Sequence, residues 1–251
     1  MEFRTGQPRW ADLVSRDTDR AVDFYTGLFG WQATAAPSEF GGYITFSRDG
    51  HNVGGLMENG PDPGVDDIWT VYLEVDDARE TAEAAQTEGA EVLELEDLAD
   101  LGTWLVITDP TGARVGGWQN IAHTGFETTR GAGAPVWAEE HTRDYRAAVA
   151  FYETVFGWET EVLSDTDDYR FTTLGRGADA VAGIQDDSAT LAEIEPSYWE
   201  LYFGVANANE TAVRITELGG ALLERVADTE YGRMGHAVDP TGARFAILQV
   251  A

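Results

Sequence analysis

The chain contains one phrase twice, and this repeat limits the folds that it can adopt. Residues 109–120 read DPTGARVGGWQN and residues 239–250 read DPTGARFAILQV, so Asp-Pro-Thr-Gly-Ala-Arg recurs 130 residues later (239 − 109), and an apolar run follows it each time. In a chain of 251 residues, this spacing predicts two similar domains of about 120 residues each.

The duplication extends well beyond the phrase. Two further pairs of segments match: WADLVSRDTDRAVDFYTGLFGW (10–31) with WAEEHTRDYRAAVAFYETVFGW (137–158), and TVYLEVDDARETAEA (70–84) with ELYFGVANANETAVR (200–214). Between the copies, HTGFETTRGAGAP is rich in Gly and Thr and has no periodic apolar pattern, which is typical of a linker. We therefore predict a first domain at 1–122, a linker at 123–135 and a second domain at 136–251.

Each half contains the same succession of elements two times. WADLVS alternates as a strand, Asp17 or Thr18 can cap the helix that follows, and Gly30 can end that helix. Three strand-like stretches come next (WQATAA, YITFSRDG and HNVGGLME), and a second unit starts with WTVYLEV and a helix from Asp77 to about Gln86. This pattern predicts an α+β fold of four β-α-β-β-β modules. DPTG joins the last two strands of each half as a tight turn.

The motifs of these modules resemble those of a known family. A strand and helix with FYxxxFGW, a second strand and helix, and a terminal DPxGxxxxxxQ strand are similar to the vicinal oxygen chelate superfamily, which includes glyoxalase I, bleomycin-resistance proteins and extradiol dioxygenases. The chain resembles in particular the duplicated single-chain form found among actinobacterial glyoxalase-like proteins. The resemblance implies that paired modules form two open barrels arranged as a pseudo-dimer. It also implies that the concave face of each barrel holds a small ligand and often a divalent metal.

Strand parity predicts which side chains line the concave face. In TVYLEV, Val71, Leu73 and Val75 form an apolar face that packs on the helix, so the alternate residues point into the cleft. The same rule on the other strands gives the predicted ligand-binding residues: Trp10, Asp12, Thr70, Tyr72, Glu74, Trp118, Trp137, Glu139, His141, Glu200 and Tyr202. Glu140 breaks the pattern, because parity turns this carboxylate towards the helix.

The ligand set that the resemblance implies is incomplete in this sequence. Metal-using relatives carry His in the first strand, Glu in the fourth, His or Glu in the fifth and Glu in the last. The matching positions here hold Trp10 and Trp137, Thr70 and Glu200, and Gly116 and Ala246, and the fourth-strand stretches 53–57 and 181–184 contain no carboxylate. One carboxylate is too few for a divalent ion. We predict no metal and no other cofactor; the alternative is a different metal site at Glu139 and His141, completed by a carboxylate from another strand.

Composition excludes several classes of partner. The 45 Asp and Glu residues outnumber 16 basic residues, all Arg, and the net charge of −29 repels a nucleic-acid backbone. No stretch approaches the ~20 apolar residues of a membrane span, and MEFRTGQPRWAD lacks the apolar core of a secretory signal. With no cysteine, thiol chemistry is absent. We expect a cytoplasmic monomer with an internal pseudo-dimer.

The predicted cleft favours recognition of a small molecule. Tryptophan and tyrosine give planar walls, and the carboxylates can bind an amine or hydroxyl groups. We predict a protein that binds a planar or cationic metabolite or antibiotic, and sequesters or modifies it. Two alternatives stay open. One is an enzyme (a glyoxalase-like lyase, a ring-cleaving dioxygenase or a metal-independent isomerase) with Glu139, His141 and Glu200 as candidate catalytic residues. The other is an interaction protein whose cleft is only core.

Overall fold

The computed structural model describes residues 3–37, 41–60, 66–192 and 195–250. The helices are α1 (Thr18–Phe29), α2 (Ala78–Thr87), α3 (Tyr145–Val155) and α4 (Ala208–Glu217). The strands are β1 (Pro8–Ser15), β2 (Gln32–Ala35), β3 (Ile44–Arg48), β4 (His51–Glu58), β5 (Ile68–Glu74), β6 (Glu91–Asp97), β7 (Gly102–Thr108), β8 (Arg114–Asn120), β9 (Pro135–Thr142), β10 (Thr160–Asp165), β11 (Arg170–Leu174), β12 (Ala182–Asp186), β13 (Tyr198–Val205), β14 (Ala221–Leu222), β15 (Ala227–Thr229), β16 (Gly232–Val238) and β17 (Arg244–Gln249). In the described ranges, no helix has the length and apolar character needed to cross a membrane.

The element order confirms the four predicted β-α-β-β-β modules and the α+β class. The fourth module differs by one short additional strand, β15, which pairs with β16. The predicted helix ends are also confirmed for α1. Asp17 accepts a hydrogen bond from the backbone N of Arg20 at 3.0 Å, and Gly30 ends the helix in the left-handed region at φ 70°.

The sheets are mixed and open. In each module the first strand pairs in parallel with the last, as β1 does with β4, where Asp12 lies opposite Gly55. The strand orders are β2-β3-β4-β1-β5-β8-β7-β6 in the first half and β10-β11-β12-β9-β13-β17-β16-β14 in the second. Each order begins and ends on a different strand, so neither sheet closes into a barrel.

The chain divides into two compact units, and each unit takes residues from both halves. Unit 1 consists of Met1–Trp10, Val71–Thr124 and Ala138–Glu200; unit 2 consists of Ala11–Thr70, Gly125–Trp137 and Leu201–Ala251. The helices α2 and α3 therefore belong to unit 1, and α1 and α4 to unit 2. The domain limits at 122 and 136 follow the sequence repeat and stay a prediction.

The first copy of the repeated phrase connects the two halves within unit 1. Oδ1 of Asp109 accepts hydrogen bonds from the backbone N of Thr111 and of Ala113 at 2.8 and 3.0 Å, which closes the predicted turn. Oδ2 of Asp109 accepts a hydrogen bond from the hydroxyl of Tyr152 on α3 at 2.9 Å. That hydroxyl in turn accepts a hydrogen bond from Nε1 of Trp199 at 2.7 Å. Burial raises the pKa of Tyr152 well above 10, so the phenol keeps its proton and donates.

The second copy makes the same connection within unit 2. Asp239 accepts the hydroxyl of Tyr25 on α1 at 3.1 Å, and Nε1 of Trp69 donates to that hydroxyl at 2.8 Å. Tyr25 and Tyr152 are the tyrosines of the two FYxxxFGW motifs. Each DPTG turn therefore binds the FY motif of the other half, which explains why the chain needs the phrase twice.

We expect a chain cut in the linker near Gly131 to remain associated, because Asp109 and Asp239 each hold a tyrosine of the opposite half. A protease site inserted after Gly131 and gel filtration after cleavage check this. The matched variants Tyr25→Phe and Tyr152→Phe should each lower the free energy of unfolding by about 1–3 kcal/mol. Elution of the cleaved halves as two separate folded species would contradict the prediction.

A buried carboxyl group lies beside the Asp109 network. Glu140 is fully buried on the face that parity turns towards the helix, and its Oε1 lies 3.0 Å from Oγ1 of Thr111. The same Oγ1 lies 2.8 Å from Asp109 Oδ1. A hydroxyl has one proton and cannot donate to two carboxylates at once, so a protonated Glu140 fits this arrangement. Burial, reinforced by the charge of Asp109, raises the pKa of Glu140 well above 4.5.

We expect Glu140→Leu, which copies the buried Leu13 at the matching position of the first half, to stabilise the protein. Because the folded-state pKa of Glu140 is raised, its contribution is fully present below the unfolded pKa and declines as the pH rises through the folded pKa. The gain in unfolding free energy should therefore grow with pH and reach about 1–4 kcal/mol at about pH 8. Urea unfolding at several pH values measures it.

The reverse variant, Leu13→Glu, is the control and should destabilise the fold, because it buries a carboxyl group beside an apolar core. Equal stability of wild type and Glu140→Leu at every pH would show that Glu140 carries no burial cost.

Candidate functional site

Four ionisable side chains converge in the interior of unit 1. Glu139 and His141 lie on β9, Glu200 lies on β13, and Asp187 directly follows β12. Nδ1 of His141 lies 2.7 Å from Asp187 Oδ2, and Nε2 lies 3.6 Å from Glu139 Oε1 and 3.5 Å from Glu200 Oε2. We call these four residues the His141 cluster. Residues two apart on a strand share a face, so the predicted grouping of Glu139 with His141 and Glu200 is present.

An aromatic ring covers the imidazole of this cluster. The ring of Tyr198 stacks on His141 with centroids 4.9 Å apart and planes inclined by 12°. Tyr198 precedes Glu200 by two residues on β13, so both side chains leave the same face of that strand. The cluster therefore combines charged groups with a planar apolar surface, which are the components of many small-molecule sites.

His141 carries a positive charge at neutral pH. Burial alone would lower the pKa of the imidazole, but the hydrogen bond to Asp187, together with Glu200 and Glu139, outweighs burial and raises the pKa to about 10. The side chain is only 4% exposed. The imidazolium is thus a fixed cation among carboxylates and not a free base.

The first half shows that the fold does not need this cluster. The positions that match Glu139, His141 and Glu200 hold Asp12, Val14 and Thr70. Asn59 matches Asp187, since its backbone N donates to the O of Ser15 at 2.8 Å just as Asp187 N donates to the O of Thr142 at 2.8 Å. One carboxylate and no histidine replace four ionisable groups, and the same module still forms.

Two predicted aromatic residues of the first half are buried against the chain itself. Trp10 is 3% exposed and Trp118 is 6% exposed. The ring of His123 lies edge-on to both, with centroid distances of 4.6 Å to Trp10 and 5.4 Å to Trp118. The sequence predicts that His123 lies in the linker, and nothing in that stretch indicates this packing.

Two predicted carboxylates of the first half, Asp12 and Glu74, each have a partner. The hydroxyl of Tyr43 donates to Asp12, and Arg9 forms an ion pair with Glu74. Despite Arg9, burial raises the pKa of Glu74. Thr70 is fully buried. Asp12 and Glu74 therefore already have hydrogen-bonding or ionic contacts within the protein.

Two remaining aromatic residues lie in unit 2. Trp137 is half-buried and Tyr202 is 3% exposed, with the His236 ring edge-on to Tyr202 at 5.9 Å. The roles of all these residues in ligand binding stay predictions.

The side chains at the implied ligand positions of the first half do not fit the divalent metal that the resemblance implies. A Cβ atom at Gly116 would overlap the ring of Tyr72, and one at Gly55 would overlap the Tyr43 hydroxyl and Asp12. Neither position can hold a carboxylate unless these neighbours move. Across the part of the chain that the structure describes, no group of three His, Asp or Glu side chains is arranged to hold a metal ion.

Sequence reasoning missed several members of the site. Asp187 lies in a polar stretch, QDDSAT, that gives no sign of which carboxylate points inward. Tyr198 could have been predicted, because it lies two residues before Glu200 on β13 and alternation along the strand places both side chains on the same face. Arg9 contacts Glu74, and Tyr43 contacts Asp12. The two residues of each pair are far apart in the sequence, so strand periodicity does not predict the contact.

Comparison with known proteins agrees with the fold and the motifs. Residues 7–116 match the model of the Glyoxalase/Bleomycin resistance protein/Dioxygenase superfamily, and residues 137–248 match the Glyoxalase-like domain. The anthracycline biosynthesis protein DnrV of Streptomyces peucetius is 36% identical, in an alignment that covers 99% of this chain and 94% of that protein.

Solved structures give the same fold at low sequence identity. The Mn(II)-bound glyoxalase from Novosphingobium aromaticivorans has a TM-score of 0.67 at 15% identity, covering 98% of this chain and 82% of that one. The 2,3-dioxygenase LapB from Pseudomonas sp. KL28 has a TM-score of 0.66 at 14% identity, covering 98% and 93%. With both halves matched by family models and a relative aligned along its whole length, the chain belongs to the glyoxalase/bleomycin resistance protein/dioxygenase superfamily and consists of two tandem glyoxalase-like domains.

Proposed function

We propose that this protein binds a planar, cationic small organic molecule at the His141 cluster and uses no metal to do so. The observation that carries the proposal is the difference between the two copies. Burying four ionisable groups costs free energy that a well-packed apolar site avoids, and the first half folds with Val14, Thr70 and Asn59 at three of these positions. A costly cluster that the fold does not require indicates a site.

The chemistry of the cluster selects the class of ligand. Carboxylates accept hydrogen bonds from an amine or from hydroxyl groups, and charge-assisted bonds of this kind are the stronger ones. Tyr198, which stacks on His141, offers a flat surface for an aromatic ring. The relative named for anthracycline biosynthesis supports a planar metabolite or antibiotic as the ligand.

The charge on His141 favours binding over acid–base catalysis. A general base works best when its pKa lies near the operating pH. An imidazole with a pKa of about 10 is already protonated at neutral pH, so it cannot accept a proton from another group. The enzyme alternatives, a lyase or dioxygenase like the solved neighbours, would need metal donors at the positions of Gly116 and Ala246. We propose that the protein acts as a cytoplasmic monomer that sequesters its ligand.

We expect 9-aminoacridine, a planar cation at neutral pH, to bind the wild-type protein, with Glu200→Gln weakening that binding at least ~10-fold, or about 1.4 kcal/mol. The loss follows from removal of a buried negative charge that faces the amine. Isothermal titration calorimetry measures the affinity, and circular dichroism verifies that the variant is folded. Phenazine, planar but neutral, should lose little affinity in the same variant.

Asp12→Asn is the control, because it removes a buried carboxylate that lies outside the His141 cluster. The affinity of this variant for 9-aminoacridine should equal that of wild type. Protein purified without chelators should contain less than about one-tenth of an equivalent of Ni, Zn, Fe or Mn. Near-stoichiometric metal that disappears in His141→Ala, or no binding of any planar cation, would overturn the proposal.

A further inference from the structure

The chain segment after β8 packs on the aromatic face of the first half in unit 1. The imidazole of His123 meets the indoles of Trp10 and Trp118 edge-on, at interplanar angles of 80° and 75°. These tryptophans hold two of the positions where strand parity places ligand-facing side chains. An aromatic ring set edge-on against another is a favourable contact, so His123 occupies the surface that a planar ligand would use.

Hydrogen bonds hold this segment in place. Nε1 of Trp118 donates to the backbone O of His123 at 3.2 Å. The backbone N atoms of Ile121, Ala122 and His123 all point to the carbonyl O of Leu101, at 3.1, 3.0 and 3.1 Å. The backbone of His123 is therefore held at both its N and its O atoms.

A second aromatic residue fills the neighbouring space on the same sheet. The ring of Tyr72 lies where a side chain at Gly116 would project. Its hydroxyl accepts a hydrogen bond from Nε1 of Trp104 at 3.0 Å, and Trp104 is the direct cross-strand partner of Trp118. Tyr72, Trp104, Trp118, His123 and Trp10 form one connected group, which we call the aromatic plug.

The second half has smaller side chains at two of the positions that match the plug. With the repeat spacing of 130, Trp104 corresponds to Met234 and Trp118 to Leu248. The half that carries the His141 cluster thus lacks two of the three indoles of the plug, while Trp137 stands at the position of the third, Trp10. The second half therefore has the charged cluster without the full aromatic filling, and the first half has the aromatic filling without the charged cluster.

We propose that the aromatic plug is a built-in occupant of the first half, with His123 in the place of a ligand, so that each chain binds one ligand and binds it in the second half. The location of that ligand rests on the proposed function. The filling of the first half is a separate claim and can be tested without any ligand.

The experiment combines hydroxyl-radical footprinting of the tryptophans with native mass spectrometry in 9-aminoacridine, on the full chain. Wild type should show slow oxidation of Trp10 and Trp118 and a single bound probe. His123→Ala should raise oxidation of both indoles at least threefold and add a second bound probe. Trp199, in the same unit, should keep its slow rate, and the control variant His236→Ala should leave Trp10 and Trp118 unchanged.

The outcomes separate this inference from the proposed function. If wild type binds no probe while His123→Ala exposes both indoles, the result supports the aromatic plug of the first half and contradicts the proposed ligand site in the second half. If Trp10 and Trp118 of folded wild type oxidise as fast as exposed residues, or if His123→Ala leaves their rates unchanged, the plug is overturned. Two probes on wild type, one of them lost in Trp118→Leu, would overturn it as well.

Discussion

The hydrogen bond from a helix tyrosine of one half to the turn aspartate of the other is the contact on which the rest of the molecule depends. Asp109 with Tyr152, and Asp239 with Tyr25, place a carboxylate, a phenol and a tryptophan in two buried networks of the same construction. A buried carboxylate is costly unless hydrogen bonds satisfy it. The turn amides, the threonine hydroxyl and the tyrosine supply those bonds together, so the turn, the helix and the opposite half stabilise one another.

The duplication also makes each half a control for the other. Positions that must be alike for folding are alike, as the two DPTG turns and the two FY pairs show. Positions that differ are free of that constraint: Leu13 against Glu140, Val14 against His141, and Trp118 against Leu248. The first set of contacts maintains the fold. The second set places a charged cluster in one half and aromatic filling in the other.

Much of the fold could be predicted, because periodicity, caps and turns are local properties of the sequence. Asp17 and Gly30 limit α1 as expected, and the DPTG turns join the expected strands. Parity also placed Glu139, His141 and Glu200 on one face, since alternation along a strand fixes the face of each side chain, and their role in a site stays a prediction. Contacts between residues that are far apart in the sequence could not be predicted from these local patterns. Nothing in a single sequence states that Tyr25 binds Asp239, that Asp187 binds His141, or that His123 packs on Trp10, because these pairings depend on how the modules assemble.

The central claim is that the His141 cluster, with a charged imidazole, is the ligand site. The four histidines of the chain can be followed individually by NMR of the labelled imidazole rings, with and without 9-aminoacridine. We predict that His141 remains protonated at about pH 8, in line with its raised pKa of about 10, and that its ring signals shift when the probe is added while those of His123 stay unchanged. A His141 ring that titrates near 6.5, the ordinary value for histidine, and does not respond to the probe would contradict the claim.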